Sequence, residues 1–105
     1  MYNPVPGQQY RKQDFGIQNL MRTLSIVEGR YFAFFTLHNK GGLKNEPLPE
    51  GFVWTPRYDH ELVPDNQTVP SATWIFYRAS KGPFTFHGVS KTIVRHGPTQ
   101  NKFLF

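Results

Sequence analysis

The chain has 105 residues, enough for one domain with a modest core but not for two. It holds 10 Phe, 5 Tyr and 2 Trp, with 9 Gly, 9 Pro and no Cys. The aromatic content is too high for a disordered chain, and the missing cysteine excludes disulfides and thiolate zinc sites. The formal charge is +5 at pH 7, and it is unevenly spread. The acidic residues gather in 46–65 as Glu46, Glu50, Asp59, Glu61 and Asp65, while residues 66–105 carry Arg78, Lys81, Lys91, Arg95 and Lys102 and no carboxylate. Such a distribution favours an acidic partner.

Residues 1–13 read as an extended arm, because Pro4 and Pro6 push their neighbours toward extended geometry. Residues 14–28 predict the chain's one helix. Asp14 suits an N-cap, Phe15, Ile17, Leu20, Met21, Leu24 and Val27 follow helical spacing, and Gly29 suits the left-handed position past the end. The stretch Arg30 to His38 follows, with four aromatics in five positions and neither Gly nor Pro. It reads as a central strand with Phe32, Phe34, Thr36 and His38 on one face and Tyr31, Ala33, Phe35 and Leu37 on the other. Both faces are apolar, so both should be covered, with His38 emerging at the end.

Residues 39–51 read as a loop in which Pro47 and Pro49 forbid a central strand. A short strand, Phe52–Thr55, is ended by Pro56. A second long loop occupies 57–72. Residues 73–78 and 84–87 then alternate as two strands joined by Ser80-Lys81-Gly82-Pro83, a hairpin signal, and Gly88 suggests a bulge. Residues 90–95 continue that strand or form another, stopped by Gly97-Pro98. Residues 98–105 read as a tail whose apolar Lys102-Phe-Leu-Phe tip needs a docking place. The expected fold is therefore α+β: a helix at about 14–28 on a four- to five-stranded antiparallel sheet, with a partial barrel as its curled form. The domain would span 14–97, between the arm and the tail.

No catalytic motif stands out. His38, His60, His87 and His96 lack metal-pair spacing, and Asp59, His60 and Glu61 read as a solvated cluster rather than a cation site; no metal and no cofactor is expected. In element order alone, and in no motif, the chain resembles small microbial ribonucleases. That resemblance implies His38 or Glu61 as base, His87 or His96 as acid and Arg78 as phosphate clamp. No apolar run is long enough to span a membrane, and no signal peptide is visible, so the sequence predicts an intracellular protein.

The function expected is that of a non-enzymatic, basic interaction protein docking on a larger protein or ribonucleoprotein with an acidic surface. It would be a subunit of a large assembly or a small viral protein that binds a host factor. A sequence-tolerant RNA or single-stranded nucleic-acid module is the alternative, and a small ribonuclease the third reading. The residues expected to meet a partner are Arg78, Lys81, Lys91, Arg95 and Lys102 for charge, and Tyr31, Trp54, Tyr58, Tyr77, Phe103 and Phe105 for contact.

Overall fold

The computed structural model describes residues 3–105. Among the described residues, ten strands form two five-stranded sheets. The first, sheet A, has the order β1 (Gln9–Tyr10), β8 (Phe84–Val89), β7 (Thr73–Arg78), β3 (Arg30–Thr36), β2 (Leu24–Val27). The second, sheet B, has the order β4 (Glu46–Leu48), β5 (Gly51–Trp54), β10 (Gln100–Leu104), β9 (Thr92–His96), β6 (Thr68–Pro70). All neighbours are antiparallel except β3 and β7, which run parallel from Tyr31↔Thr73 to Thr36↔Arg78.

The expected Arg30–His38 strand is β3, and its two faces carry the two cores. Phe32 and Phe34 join Phe76, Phe84 and Phe86 of sheet A, and Phe15 and Ile17 of the N-terminal segment cover them. Phe15 packs edge-on to Phe32 at 5.1 Å between centroids, and Phe34 stacks on Phe76 at 4.6 Å. Ala33 and Phe35 face the other way and pack with Ile75 against Phe52 and Phe103 of sheet B, where Phe35 stacks on Phe52 at 4.6 Å. The molecule is thus a sandwich of two sheets with a third, irregular layer of N-terminal chain over sheet A. The 73–87 hairpin forms as β7 and β8, with a bulge between Ile75 and Phe76 beside Gly88. A Cβ on Gly88 would lie 2.9 Å from the Phe105 ring, so glycine allows that ring its close approach.

The α+β expectation is overturned: the fold is nearly all-β and residues 14–28 form no helix. A short 3-10 turn, Lys12–Phe15, ends at Gly16, whose φ of 73° is left-handed. Asp14 does cap, but by accepting a bond from the Arg11 backbone N–H at 2.8 Å inside that turn. Residues 24–27 are then a strand paired with β3. Gly29 adopts the positive φ expected of it, 76°, but next to Glu28 at 51°, as the two-residue turn of a hairpin. The apolar stripe assigned to the helix is not buried as one: Leu20 is 50%, Met21 92% and Leu24 48% exposed.

The supposed arm and tail are also folded in. Pro4 is buried, Tyr10 pairs with Phe84, and Lys12 is only 7% exposed. Residues 100–104 are β10, a central strand flanked by β5 and β9 and containing buried Asn101 and Phe103. Residues 1 and 2 of the expected arm lie outside the described residues. The radius of gyration, 13.1 Å, matches the roughly 13 Å of a compact domain of this length. Strands within the expected loops obey the proline argument: β4 contains Pro47, β6 contains Pro70, and both lie at the edges of sheet B.

Candidate functional site

At the end of the sandwich where β3, β5 and β7 finish, three irregular segments rise around a cleft of about 440 Å³. They are residues 20–23, residues 39–45 and the loop after Trp54. Phe34 and Thr36 meet the cleft from one face of β3 and Phe35 from the other, with Trp54, Thr55 and Arg78 at the neighbouring strand ends. The charged groups that line it are Lys12, Arg22, Lys40, Arg57 and Arg78, against Glu61 alone.

Each wall is held by specific bonds. Asn39 organises the 39–43 turn: its Nδ2 donates to the carbonyls of Thr36 (3.2 Å) and Leu43 (2.7 Å), and its Oδ1 accepts from the Leu43 N–H at 3.0 Å. Asn45 Oδ1 accepts from the Thr55 N–H at 3.0 Å, while the Thr55 hydroxyl donates to the Lys44 carbonyl and accepts from Gln100 Nε2. The 57–63 segment is tied to β10 by Asn101, which is fully buried. Its Oδ1 accepts from the Val63 N–H at 2.8 Å and its Nδ2 donates to the Glu61 carbonyl at 2.9 Å. Arg95 adds a bond from Nε to the Val63 carbonyl at 2.6 Å. Tyr58, 57% exposed, stands at the start of this segment with the His60 ring parallel to it at 5.6 Å.

Lys12 and Arg78 form the deepest charged pair. Lys12 Nζ donates to the carbonyls of Leu20 (2.9 Å) and Arg22 (2.7 Å) and lies 5.3 Å from the centroid of Phe34. Arg78 lies over Phe84 at 4.3 Å, with Nε on the Thr36 hydroxyl and a terminal nitrogen on the Gly82 carbonyl. Neither forms an ion pair with a carboxylate among the described residues. Burial first, and the Arg78 charge second, hold the Lys12 ammonium below the usual lysine range. Two cations kept close without a counterion leave a positive potential at the cleft floor that an anion would neutralise.

Of the residues expected at a partner surface, the structure brings Arg78, Trp54 and Tyr58 together at this cleft. The others are dispersed. Lys81 is exposed in the β7–β8 turn and Lys91 is exposed near the opposite end of β7. Arg95 is engaged with the Val63 carbonyl, and Lys102 lies 3.4 Å from Glu50. Tyr31 is half exposed near the start of β3. Tyr77 and Phe103 pack between the sheets, Phe103 under Trp54 at 5.7 Å. Phe105 rests against His87 at 5.0 Å and is 38% exposed.

Of the residues that the ribonuclease reading names, Arg78 and Glu61 both line the cleft, and His87 does not join them. Arg78 lies on the Phe34 face of sheet A, whereas His87 points between the sheets, where its Nε2 sits 2.8 Å from both the Leu48 and Gly51 carbonyls. With two carbonyl acceptors the nitrogen must carry the proton, so His87 is a structural donor pinning the β4–β5 turn. His38 is exposed after β3, and His96 is exposed at the end of β9. Among the described residues no three His, Asp or Glu side chains gather as a ligand set for a metal. Nor is any helix among them long and apolar enough to cross a membrane.

Lys12, Arg22 and Lys40 are cleft residues that the sequence reading did not single out, and Arg57 stood out only as the cation between Trp54 and Tyr58. Lys12 carried a weak signal as half of the basic Arg11-Lys12 pair. Comparison of the chain with protein-family models, with curated proteins and with solved structures gives no match.

Proposed function

We propose that the protein is a non-enzymatic binding module that holds part of a larger acidic macromolecule in the cleft at the end of the sandwich. The observation that carries this reading is the cleft's charge: five cations, two of them at its floor without an ion pair among the described residues, against one carboxylate. Electrostatic attraction of this kind steers association and fails as salt screens it. The exposed cations Lys40 and Arg57 stand on loops anchored by Asn39, Asn45 and Asn101, so their charges are presented from a fixed frame. The dispersed histidines, with His87 committed to two carbonyls, favour binding over hydrolysis.

The test is retention on an immobilised polyanion. Reversing the exposed cleft charges (Lys40→Glu with Arg57→Glu) should lower the salt needed for elution well below that of a control that reverses the same amount of charge away from the cleft, Lys91→Glu with Lys102→Glu. Equal elution of the two double variants would overturn the assignment to the cleft.

A further inference from the structure

We infer that the acidic partner of this cleft is single-stranded nucleic acid, its phosphates set on the Arg57, Lys12 and Arg78 side and a base laid on the exposed ring of Tyr58. This inference rests on the binding-module reading above and names the partner's class. Three observations favour a nucleic-acid strand over an acidic polypeptide. The first is Tyr58. A tyrosine 57% exposed in a charged loop is an apolar surface left in water, and His60 parallel at 5.6 Å already extends it into a stack. A base continues such a stack, whereas the side chains of an acidic peptide offer nothing planar to lay on it.

The second is the mixture of groups lining the cleft. Trp54 and Tyr58 line it together with Arg57, Lys12 and Arg78, so that flat apolar surface and cationic surface lie within one lining. Single strands present the same mixture, a charged backbone with unstacked rings beside it. The third is size. A cleft of about 440 Å³ is within the range of small-ligand pockets. It suits one or two nucleotides of a strand entered end-on at the sandwich, and not the face of a duplex whose bases are stacked inward. Among the lining side chains, Asn39, Asn45 and Thr55 are committed to backbone groups of the protein itself. Little remains to read base edges, so binding should tolerate sequence.

The experiment is fluorescence anisotropy with the full chain and three labelled probes: a 12-nucleotide single strand of uridine or thymidine, the same length as a duplex, and polyglutamate. The single strand should bind most tightly. Tyr58→Ala should weaken it by about 5- to 150-fold, the range of one stacked base, and Tyr58→Phe should restore it. Arg57→Gln should make the slope of log affinity against log salt shallower by about 0.7, one single-strand phosphate contact. Polyglutamate affinity should not respond to Tyr58→Ala. Full affinity of Tyr58→Ala for the strand, or tighter binding of polyglutamate or duplex, would overturn the nucleic-acid inference and leave the basic cleft standing. Indifference of every probe to Arg57→Gln and to Lys40→Glu would overturn both.

Discussion

Asn101 is the residue on which the cleft's outer wall depends, and replacing it with alanine gives a sharp test of that dependence. In the native chain its carboxamide satisfies a buried Val63 N–H and the Glu61 carbonyl, 38 and 40 residues away in sequence. Alanine leaves the Val63 N–H without a partner at a residue only 8% exposed, which costs about 1–3 kcal/mol, and it gives up the net gain of the second bond, about 0.5–1.5 kcal/mol. The Glu61 carbonyl belongs to an exposed residue and can turn to water, so the lower end applies there. The sum is about 1.5–3.5 kcal/mol, which lowers the melting temperature of a domain this size by about 6–28 °C. Calorimetry together with urea titration measures it. Asn101→Asp keeps the acceptor for Val63 but turns an oxygen toward the Glu61 carbonyl and buries a charge. Burial would raise that carboxyl's folded pKa above its unfolded value, so its penalty is present at neutral pH and relieved as pH falls through the raised value. A change below about 0.5 kcal/mol for Asn101→Ala would refute the claim that this side chain anchors the loop, since exposed substitutions stay within that range.

Gly51 tests the close approach of β5 and β10. An added Cβ would lie 1.8 Å from the Phe103 carbonyl oxygen, a backbone atom that cannot swing away, so Gly51→Ala should prevent the native pairing and abolish cooperative unfolding. Gly29→Ala meets no neighbour and should cost only about 1 kcal/mol for its positive φ; equal effects would contradict the geometry. Lys12 predicts a pH dependence. Its pKa is lowered in the fold, so the folded state carries a penalty that is fully present below the lowered value and disappears as pH climbs toward 10.5. The wild type should therefore gain stability over that interval relative to Lys12→Met, as read by denaturant midpoints at stepped pH; a parallel profile for the two would refute it. His87→Phe keeps the ring packing but loses the donor to Leu48 and Gly51, and should destabilise by about 1–2 kcal/mol. Purified wild-type protein should not cleave RNA, and cleavage lost on changing His96 would restore the hydrolytic reading.

The strands with the densest aromatic alternation were legible in the sequence, because period two with rings on both faces has one economical solution: a strand covered twice. That argument located β3, the β7–β8 hairpin and the bulge at Gly88. It failed over residues 14–28 because the spacing of Phe15, Ile17, Leu20, Met21 and Leu24 satisfies a helical period without needing burial. Gly29, for its part, reports a positive φ common to helix ends and hairpin turns. Gly16, inside the supposed helix, was the contrary signal. The C-terminal strand was hidden by Asn101, a polar residue at an inward position whose partners lie some 40 residues earlier. The cleft was legible only in fragments. Arg78, Trp54 and Tyr58 stood out as cations or rings near one another in sequence. Lys12 and Lys40 come from segments that share nothing with the Trp54–Tyr58 stretch until the sandwich brings their ends together, and a lysine beside an arginine near the N-terminus carries no mark of burial.

The central claim is that the functional surface is the cleft at the sandwich end. Mapping backbone amide shifts by NMR, while a 12-nucleotide single strand is titrated into the labelled protein at low salt, tests it most directly. The account predicts that the largest changes fall on Thr36, Asn39 to Gly41, Thr55, Arg57, Tyr58 and Arg78, that they saturate together, and that they vanish at high salt. Saturable shifts centred instead on Lys91, Thr92 and the far end of β7, with the cleft amides unmoved, would contradict it.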